Sequence, residues 1–278
     1  AAQFSKVKQI INNGKQAVIV ASAPGKRNEH DHKVTDQLID YSNMKSEIAG
    51  LTRRIEQLKA LGETALKDFE DRFHEIADRL DLDGSARQDI VQVCTELSSS
   101  EDRSFIVSRG EYLNAKLLAK YLDYQFIDAI DLIRFDASGN LDGETTAKQI
   151  RHALKQGGGV VVPGFYGQNP YGHIKLLDRG GSDITGSLIA SALKSEVYQN
   201  WTDVNGVMDD DPAHNPAAES YAFLSYEQLL EITQSGAGVY HPDAIKPLVD
   251  SGVRLEIKNT NQPQAEGTKV GKYETEDD

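Results

Sequence analysis

Apolar residues along the chain follow two spacings, one typical of buried strands and the other of helices. Continuous apolar runs at 17–21 and 160–162 predict two strands of a parallel sheet that is covered on both faces. Apolar residues three or four positions apart predict helices between the strands. Because the predicted strands and helices alternate with short connections, the pattern predicts an α/β fold with a mostly parallel, doubly wound sheet. The predicted helices span 4–11, 34–41, 86–97, 110–121, 146–155, 184–193 and 226–235, and further strands span 126–133, 196–201 and 254–258.

Residues 44–80 carry a longer helical pattern with two interpretations. One is a coiled-coil arm, and the other is a helical hairpin that packs on its own domain and bends near Gly62. The hairpin is favoured, because the heptads are few and their phase drifts at Gly62.

Length and charge narrow the class of protein. The 278 residues allow one large α/β domain or two small ones, and the formal net charge of −13 argues against a nucleic-acid or membrane partner. No apolar run is long enough to span a bilayer, and the first residues do not form the apolar core of a signal peptide. With Cys94 as its single cysteine, the chain is expected in the reduced cytoplasm.

Loops rich in glycine and serine flank the predicted strands, and ligands of open α/β sheets bind at such positions. Ser22 opens the first loop, SAPGK, where small residues let backbone amides approach an anion. Glu111 belongs to the second, SRGE, which is predicted to open a helix. This carboxylate either stabilises the first turn through the helix dipole or binds a substrate ammonium, and its local sequence favours the first interpretation.

Two later loops carry further candidates. The block DRGGSD before the helix at 184 predicts an anion-binding nest with Arg179 as the adjacent cation, although Asp183 would serve equally as a helix cap. In the segment WTDVNG, Asp203 is suited to accept a hydrogen bond from a ribose or a base. The alternative is a simple Asn-Gly turn.

Three charged clusters have competing interpretations. The triplet at 30–32, His-Asp-His, is either a metal site or, as favoured, solvated surface. The acidic run at 209–211 is either a Mg²⁺ ligand or a solvated turn. Lys26, Arg27 and Lys33 either attract anionic substrates or keep a mobile loop soluble.

Seven segments, in order and over nearly the whole chain, resemble the aspartokinases of the amino-acid kinase family, and in particular those of Gram-positive bacteria. The resemblance implies a three-layer α/β/α sandwich with a substrate lobe at about 1–156, a nucleotide lobe at about 157–270 and a polar tail at 271–278. The matching segments are VIVASAPGK, KVTDQL, SRGEYLNAKLLA, VVVPGFYG, DRGGSDITGSLIA, WTDVNGVMDDDP and LEIKNTNQPQAEGT.

The activity that this resemblance implies is phosphorylation of the L-aspartate side chain by ATP with Mg²⁺, giving 4-phospho-L-aspartate, the first step of lysine, threonine and methionine synthesis. A homo-oligomeric full-length protein is also implied. Asp183 is the implied catalytic residue. Ser22, Thr35, Glu111, Arg179 and Ser182 would bind aspartate, and Gly180, Gly181, Thr202 and Asp203 would bind the nucleotide.

The chain departs from the aspartokinase pattern in several places. It begins after the family's Lys-Phe-Gly-Gly-Ser strand and stops before the ACT domains, so both are expected to be absent. Ala213 and Gly238 stand where relatives often carry basic residues. Two alternatives stay open: a glutamate or acetylglutamate kinase, which would share the fold, and a non-catalytic fragment that binds aspartate, which the departures support.

Overall fold

Helices and short strands alternate in the computed structural model, which describes residues 2–11, 18–48, 55–155, 157–178, 180–210, 215, 218–234 and 240–272. None of the described helices is long and apolar enough to cross a membrane. The helices are α1 (Ala2–Ile11), α2 (Val34–Ile48), α3 (Ile55–Arg79), α4 (Gly84–Ser99), α5 (Arg103–Leu122), α6 (Ala129–Leu132), α7 (Gly143–Ala153), α8 (Gly181–Leu193), α9 (Tyr226–Gln234) and α10 (Ile245–Ser251), with a 3-10 turn at Pro242–Ala244. The strands are β1 (Val18–Ala21), β2 (Gln125–Phe126), β3 (Val160–Pro163), β4 (Tyr166–Gln168), β5 (Ile174–Leu176), β6 (Val197–Thr202), β7 (Phe223–Ser225), β8 (Arg254–Asn259) and β9 (Thr268–Gly271).

The described residues divide into two compact units, each built from separated stretches of chain. The first takes its residues from 16–131 and 158–176, and the second from 2–15, 132–157 and 177–278. This division differs from the single boundary expected near residue 156. The difference arises because β3 pairs with β1 and β2, which keeps 158–176 in the first unit, whereas α7 packs against α8 in the second.

The sheet of the first unit has β3 at its centre, with β1 and β2 parallel to it on either side. All four residues of β3 are buried, as its apolar run predicted. The strand predicted over 126–133 is wrong beyond Phe126. Asp128 accepts a hydrogen bond from the backbone N–H of Ile130 at 3.2 Å, and this local contact turns the chain into α6.

The helical hairpin predicted between residues 44 and 80 is confirmed, because α2 and α3 pack against each other. The predicted bend at Gly62 is wrong, since Gly62 lies inside α3. The connection between the two helices, at 49–54, lies outside the described residues. A glycine in a helix costs about 1 kcal/mol relative to alanine. Buried side chains of α3, such as Phe69 and Phe73, outweigh that cost.

Helix α5 begins seven residues before the predicted start at 110. Asp102 caps it by accepting hydrogen bonds from the backbone amides of Ser104 at 2.8 Å and Phe105 at 3.3 Å. The helix contacts both β1 and β3, so its middle turns lie beside the sheet.

The sheet of the second unit has the strand order β6-β8-β9-β7. Two of its pairings are parallel and only β8 with β9 is antiparallel, which agrees with the predicted mostly parallel topology. Helix α8 packs on β6, α7 and α10. The sequence did not predict the short strands β7 and β9, whose three and four residues are too few to show a period.

Candidate functional site

Ser22 lies directly after β1, at the carboxyl end of a parallel strand. The last residue of that strand, Ala21, pairs with Pro163 of β3 and accepts a hydrogen bond from the backbone of Gly164 at 3.0 Å. The loops after both strands therefore share one edge of the sheet. Phe165 in the second loop has a φ of 84°, a conformation that bulky residues rarely adopt and that is typical of functional sites.

Thr35 and Glu111 meet beside this edge. The Thr35 hydroxyl donates to Oε1 of Glu111 at 3.2 Å, which joins the first turn of α2 to the middle of α5. Gly110 makes the approach possible: a Cβ there would lie 3.1 Å from Cγ1 of Val34 and 3.2 Å from Cβ of Ala23. The structure thus brings together three of the predicted aspartate-binding residues, Ser22, Thr35 and Glu111.

The Glu111 carboxyl group is buried in the interior of α5, with 5% of the residue exposed. Its interpretation as a first-turn residue interacting with the helix dipole is wrong, because α5 begins at Arg103. Burial raises the pKa of Glu111 to about 7, although hydrogen bonds from Thr35 and the Ala23 backbone favour its charged form. No described residue hydrogen-bonds its second oxygen, Oε2, so one buried acceptor is available for a ligand.

Asn114 is a candidate that the sequence reasoning missed. Its Nδ2 donates to the backbone carbonyl of Ser22 at 2.5 Å, and its buried Oδ1 has no hydrogen-bond partner among the described residues. It lies three residues after Glu111, on the same face of α5. The three-residue spacing was the signal in the sequence that could have indicated this, since it places Oε2 of Glu111 and Oδ1 of Asn114 on one face of the helix.

Arg109 places a buried positive charge near Glu111, where it favours the ionised carboxylate. Its guanidinium lies 4.3 Å from the ring centroid of Tyr112 and 4.5 Å from that of Phe105. Burial raises the pKa of Asp128, while a 2.7 Å hydrogen bond from Tyr166 and the charge of Arg109 oppose the rise. Arg109, Asp128 and Tyr166 therefore form a buried group of interacting charged and polar side chains near Glu111.

The N-terminus of α8 is the corresponding feature of the second unit. Gly180 occupies the N-cap position with a φ of 75°, and a Cβ there would lie 2.3 Å from the side chain of His241. Gly181 and Ser182 follow in the first turn, so their backbone amides belong to the unpaired donors of a helix start. Arg179 lies outside the described residues.

Asp183 does not cap α8, because Gly180 holds that position. Its Oδ1 accepts a hydrogen bond from Nδ2 of Asn200 on β6 at 2.9 Å. Burial raises the pKa of Asp183, while Asn200 and the backbone and charge of His241 oppose the rise. Asn200 therefore ties α8 to the strand that ends at Thr202.

The predicted nucleotide segment begins where β6 ends, two residues after Asn200. The carbonyl of Thr202 accepts hydrogen bonds from the backbone N–H of Thr260 at 2.8 Å and from its hydroxyl at 2.9 Å. Asp203 is exposed, and one of its oxygens accepts from the Thr202 hydroxyl at 3.2 Å. The turn is thus held in place with an exposed carboxylate at its start.

The loop after Asp203 is fixed by two further contacts. Asn259 donates to Oδ1 of Asn205 at 2.7 Å, and Thr268 accepts from the backbone of Val207 at 2.9 Å. Gly206 has a φ of 118°, and a Cβ there would lie 2.4 Å from the Thr268 hydroxyl, so this position requires glycine.

Within the described part of the chain, no three His, Cys, Asp or Glu side chains cluster as metal ligands. The triplet 30–32 is not simply solvated surface as expected: His30 and His32 are exposed, but the Asp31 side chain is 8% exposed and pairs with Arg27 and Arg72. Residue 211, Ala213 and Gly238 lie outside the described residues.

Comparisons with known proteins show which family this chain resembles. The sequence profile of the amino acid kinase family matches residues 2–259. Aspartokinase 3 of Bacillus subtilis is 32% identical over 97% of this chain and 60% of its own length. The crystal structure of aspartate kinase from Clostridium acetobutylicum matches 100% of this chain and 60% of its own with a TM-score of 0.85 and 35% identity. Escherichia coli aspartokinase III, solved with aspartate and ADP, matches with a TM-score of 0.72 and 23% identity.

These matches fix the family and the fold. The chain spans about 60% of the length of the first of these relatives. The α/β fold class predicted from the sequence is confirmed, and the chain belongs to the amino acid kinase family.

Proposed function

We propose that this chain is the catalytic domain of an aspartokinase. It transfers the terminal phosphoryl group of ATP to the side-chain carboxylate of L-aspartate, which yields 4-phospho-L-aspartate and ADP. An oxygen of the carboxylate forms the new bond to phosphorus as the bond to the ADP oxygen breaks. The reaction opens the synthesis of lysine, threonine and methionine in the cytoplasm, and the full-length protein works as a homo-oligomer.

The observation that carries the proposal is the open Oε2 of buried Glu111. A buried acceptor without a partner costs free energy, and a substrate ammonium group would satisfy it while neutralising the carboxylate. Asn114 offers a second open acceptor on the same helix face. An ammonium group has three donors, so Glu111, Asn114 and the hydroxyl of Ser22 or Thr35 form a suitable set.

The start of α8, in the second unit, offers donors that suit an anion. Gly180, Gly181 and Ser182 contribute to a helix N-terminus, whose unpaired amides and dipole favour anions. Arg179 is proposed to pair with a substrate carboxylate in a charge-assisted contact. Some of these donors are equally suited to nucleotide phosphates, and we assign Gly180 and Gly181 to that role.

Asp183 is proposed as the catalytic carboxylate that orients the groups around the transferred phosphoryl. Its support is the fixed position between Asn200 and the backbone of His241, since phosphoryl transfer depends mainly on positioning and charge. Thr202 and Asp203 are proposed to contact the nucleotide. The fixed turn behind Asp203 supports this, because an exposed carboxylate on a fixed backbone suits a ribose hydroxyl.

Mg²⁺ is proposed to enter with ATP. This ion commonly binds one or two carboxylates together with substrate phosphates and water, without a cage of protein ligands. The acidic side chains of Asp183 and Asp203 fit that requirement as single carboxylates. When bound, the ion would neutralise charge on the phosphates.

The alternatives differ from aspartokinase either in their substrate or in the absence of turnover. The α-amino group of acetylglutamate is acylated and carries no charge, so it would leave buried Glu111 without a cation. Glutamate keeps the ammonium but adds a methylene, which a fitted pocket discriminates by about 10–200-fold. A non-catalytic fragment would bind aspartate without turnover.

The test is aspartate-dependent ADP release by the full-length gene product, with hydroxylamine present to trap the acyl phosphate as a hydroxamate. We expect hydroxamate with L-aspartate and at least about tenfold less with L-glutamate. If hydroxamate formed only with glutamate or only with acetylglutamate, aspartate would not be the substrate. Aspartate binding without hydroxamate would identify the non-catalytic alternative.

A further inference from the structure

The loop at 24–33 connects two of the proposed aspartate contacts. It leaves the sheet after Ser22 and returns to α2 just before Thr35. A displacement of either end of this loop would therefore move Ser22 or Thr35 relative to Glu111. What holds the loop in place is consequently relevant to the substrate site.

A single buried side chain, Arg72 of α3, grips both legs of the loop. Its guanidinium donates to the carbonyl of Gly25 on the outgoing leg. On the returning leg it donates to the carbonyl of His32 at 3.1 Å and lies 3.2 Å from Oδ2 of Asp31. Only 3% of Arg72 is exposed, so these contacts replace the water that a guanidinium normally binds.

Asp31 completes the closure from within the loop. Its Oδ2 accepts hydrogen bonds from the backbone of Arg27 at 2.7 Å and from its Nε at 3.0 Å. These contacts and the charge of Arg72 hold the pKa of Asp31 well below its usual range. Arg27 also lies 3.6 Å from Glu75, one turn after Arg72, which ties the tip of the loop to the same helix.

Burying the charged side chain of Arg72 costs desolvation free energy, and its contacts with the loop offset that cost. It shares the apolar face of α3 with Phe69, Phe73 and Ile76, where a hydrophobic residue would pack at lower cost. A hydrophobic residue cannot bind two carbonyls and a carboxylate at once, whereas the guanidinium fork can. The geometry is thus that of a clamp on the loop.

We propose that Arg72 is a positioning residue for the amino-acid substrate: it clamps the loop 24–33 and thereby holds the hydroxyls of Ser22 and Thr35 in position beside Glu111. This inference rests on the proposed function. Arg72 acts through the loop, so its loss affects aspartate binding and leaves nucleotide binding intact.

The experiment compares Arg72→Met and Arg72→Lys with the unchanged protein. Lys67→Met is the matched control, since Lys67 lies on the same helix and pairs with exposed Asp71. Binding of L-aspartate and of an ATP analogue is measured by calorimetry. Melting curves establish that each variant is folded, and Arg72→Lys supplies a variant that keeps the charge opposite Asp31.

We expect Arg72→Met to weaken aspartate binding by about tenfold or more, and Arg72→Lys by less, because an ammonium cannot reach all three acceptors. Both variants should bind the nucleotide analogue within about twofold of the unchanged protein, and Lys67→Met should alter neither affinity. Trypsin should cut at Lys26 and Lys33 faster in Arg72→Met than in the control.

Two results would overturn the clamp. One is unchanged aspartate affinity in folded Arg72→Met, and the other is an equal loss of aspartate and nucleotide affinity, which marks a general structural role. Failure of the unchanged protein to bind aspartate would instead overturn the proposed function, and with it any link from the clamp to substrate. Tryptic cleavage separates the cases, since it reports the loop without a ligand.

Discussion

The Thr35 hydroxyl and Oε1 of Glu111 are 3.2 Å apart, although 76 positions separate the two residues in the chain. This contact satisfies one oxygen of a buried carboxyl group and leaves the other, Oε2, open. The site is therefore prepared for a cation before any ligand arrives. The predictions below follow from that arrangement and from the glycines that allow it.

Replacing Glu111 by glutamine should weaken L-aspartate binding by about 10–150-fold. The amide keeps the size of the side chain but loses the charge that pairs with the ammonium, and a hydrogen bond to a charged group contributes about 1.5–3 kcal/mol. Calorimetric titration measures the change. Glu63→Gln, on an exposed face of α3, is the control and should bind as the unchanged protein does. Equal binding by Glu111→Gln would remove Glu111 from the site.

Aspartate affinity should rise with pH and level off above about pH 8. Burial raises the pKa of Glu111 to about 7, and only its ionised form binds the ammonium. Below pH 6 the affinity should therefore fall by about tenfold per pH unit, and binding at pH 7 should release about half a proton. Titrations in two buffers of different ionisation enthalpy measure that release. A pH-independent affinity between 6 and 8 would contradict the buried, protonated state.

The same raised pKa predicts a stability effect of opposite sign. Because the folded protein holds the Glu111 proton more tightly than the unfolded chain, stability is full below the ordinary pKa of 4.5 and is lost as pH rises to about 7. Each pH unit in that window costs about 1.4 kcal/mol. Without ligand, Glu111→Gln should therefore unfold at higher denaturant concentration than the unchanged protein at pH 8, with no such advantage at pH 4. A less stable variant at pH 8 would contradict this sign.

Gly110→Ala should leave the protein about 1–3 kcal/mol less stable than Gly62→Ala does, and it should weaken aspartate binding. The added methyl group would lie 3.1 Å from Val34 and 3.2 Å from Ala23, so α2 or the loop after β1 must shift. Gly62→Ala is the matched control inside α3, where the methyl group meets the Tyr41 ring at an ordinary 3.5 Å. That control should gain stability of about 0.5–1 kcal/mol from helix propensity. Denaturant unfolding distinguishes the two, and equal stabilities of Gly110→Ala and Gly62→Ala would mean that the close packing is not needed.

Gly180→Ala should destabilise the protein far more than Gly172→Ala. Both glycines have a positive φ, 75° and 84°, so each substitution carries the same backbone cost of about 1–2 kcal/mol. Only at position 180 would the methyl group collide with a neighbour, His241, at 2.3 Å, whereas nothing lies within 4 Å at position 172. Unfolding and binding of an ATP analogue provide the readouts. Similar losses in the two variants would show that the approach of His241 is unimportant.

The sequence predicted the elements whose signal is local. The apolar runs that form β1 and β3 and the glycine-rich start of α8 were located within a few residues. The predicted start of helix α5 lies too far along the chain, because Gly110 resembles a helix boundary when its packing against Val34 is unknown. The strand predicted over 126–133 failed because the capping turn at Asp128 overrides the apolar pattern.

The chemistry of the site depended on distant contacts that no local pattern contains. The link from Asp31 to Arg72 joins a loop to a helix, and a charged triplet alone is typical of solvated surface. One signal was present, since Arg72 falls between Phe69 and Phe73 on an apolar helix face. The pKa of Glu111 likewise depends on burial and on contacts with Thr35 and the Ala23 backbone, which spacing along the chain does not reveal.

The most direct test of the central claim is calorimetric titration of this chain with L-aspartate at pH 8, with Mg²⁺ and a non-hydrolysable ATP analogue present. N-acetyl-L-aspartate, which lacks the ammonium, and L-glutamate, which is longer, are titrated in parallel. The account predicts saturable binding of L-aspartate, at least about tenfold weaker binding of L-glutamate and none of the acetylated compound. A folded chain that binds no L-aspartate, or binds the acetylated compound equally well, would contradict it.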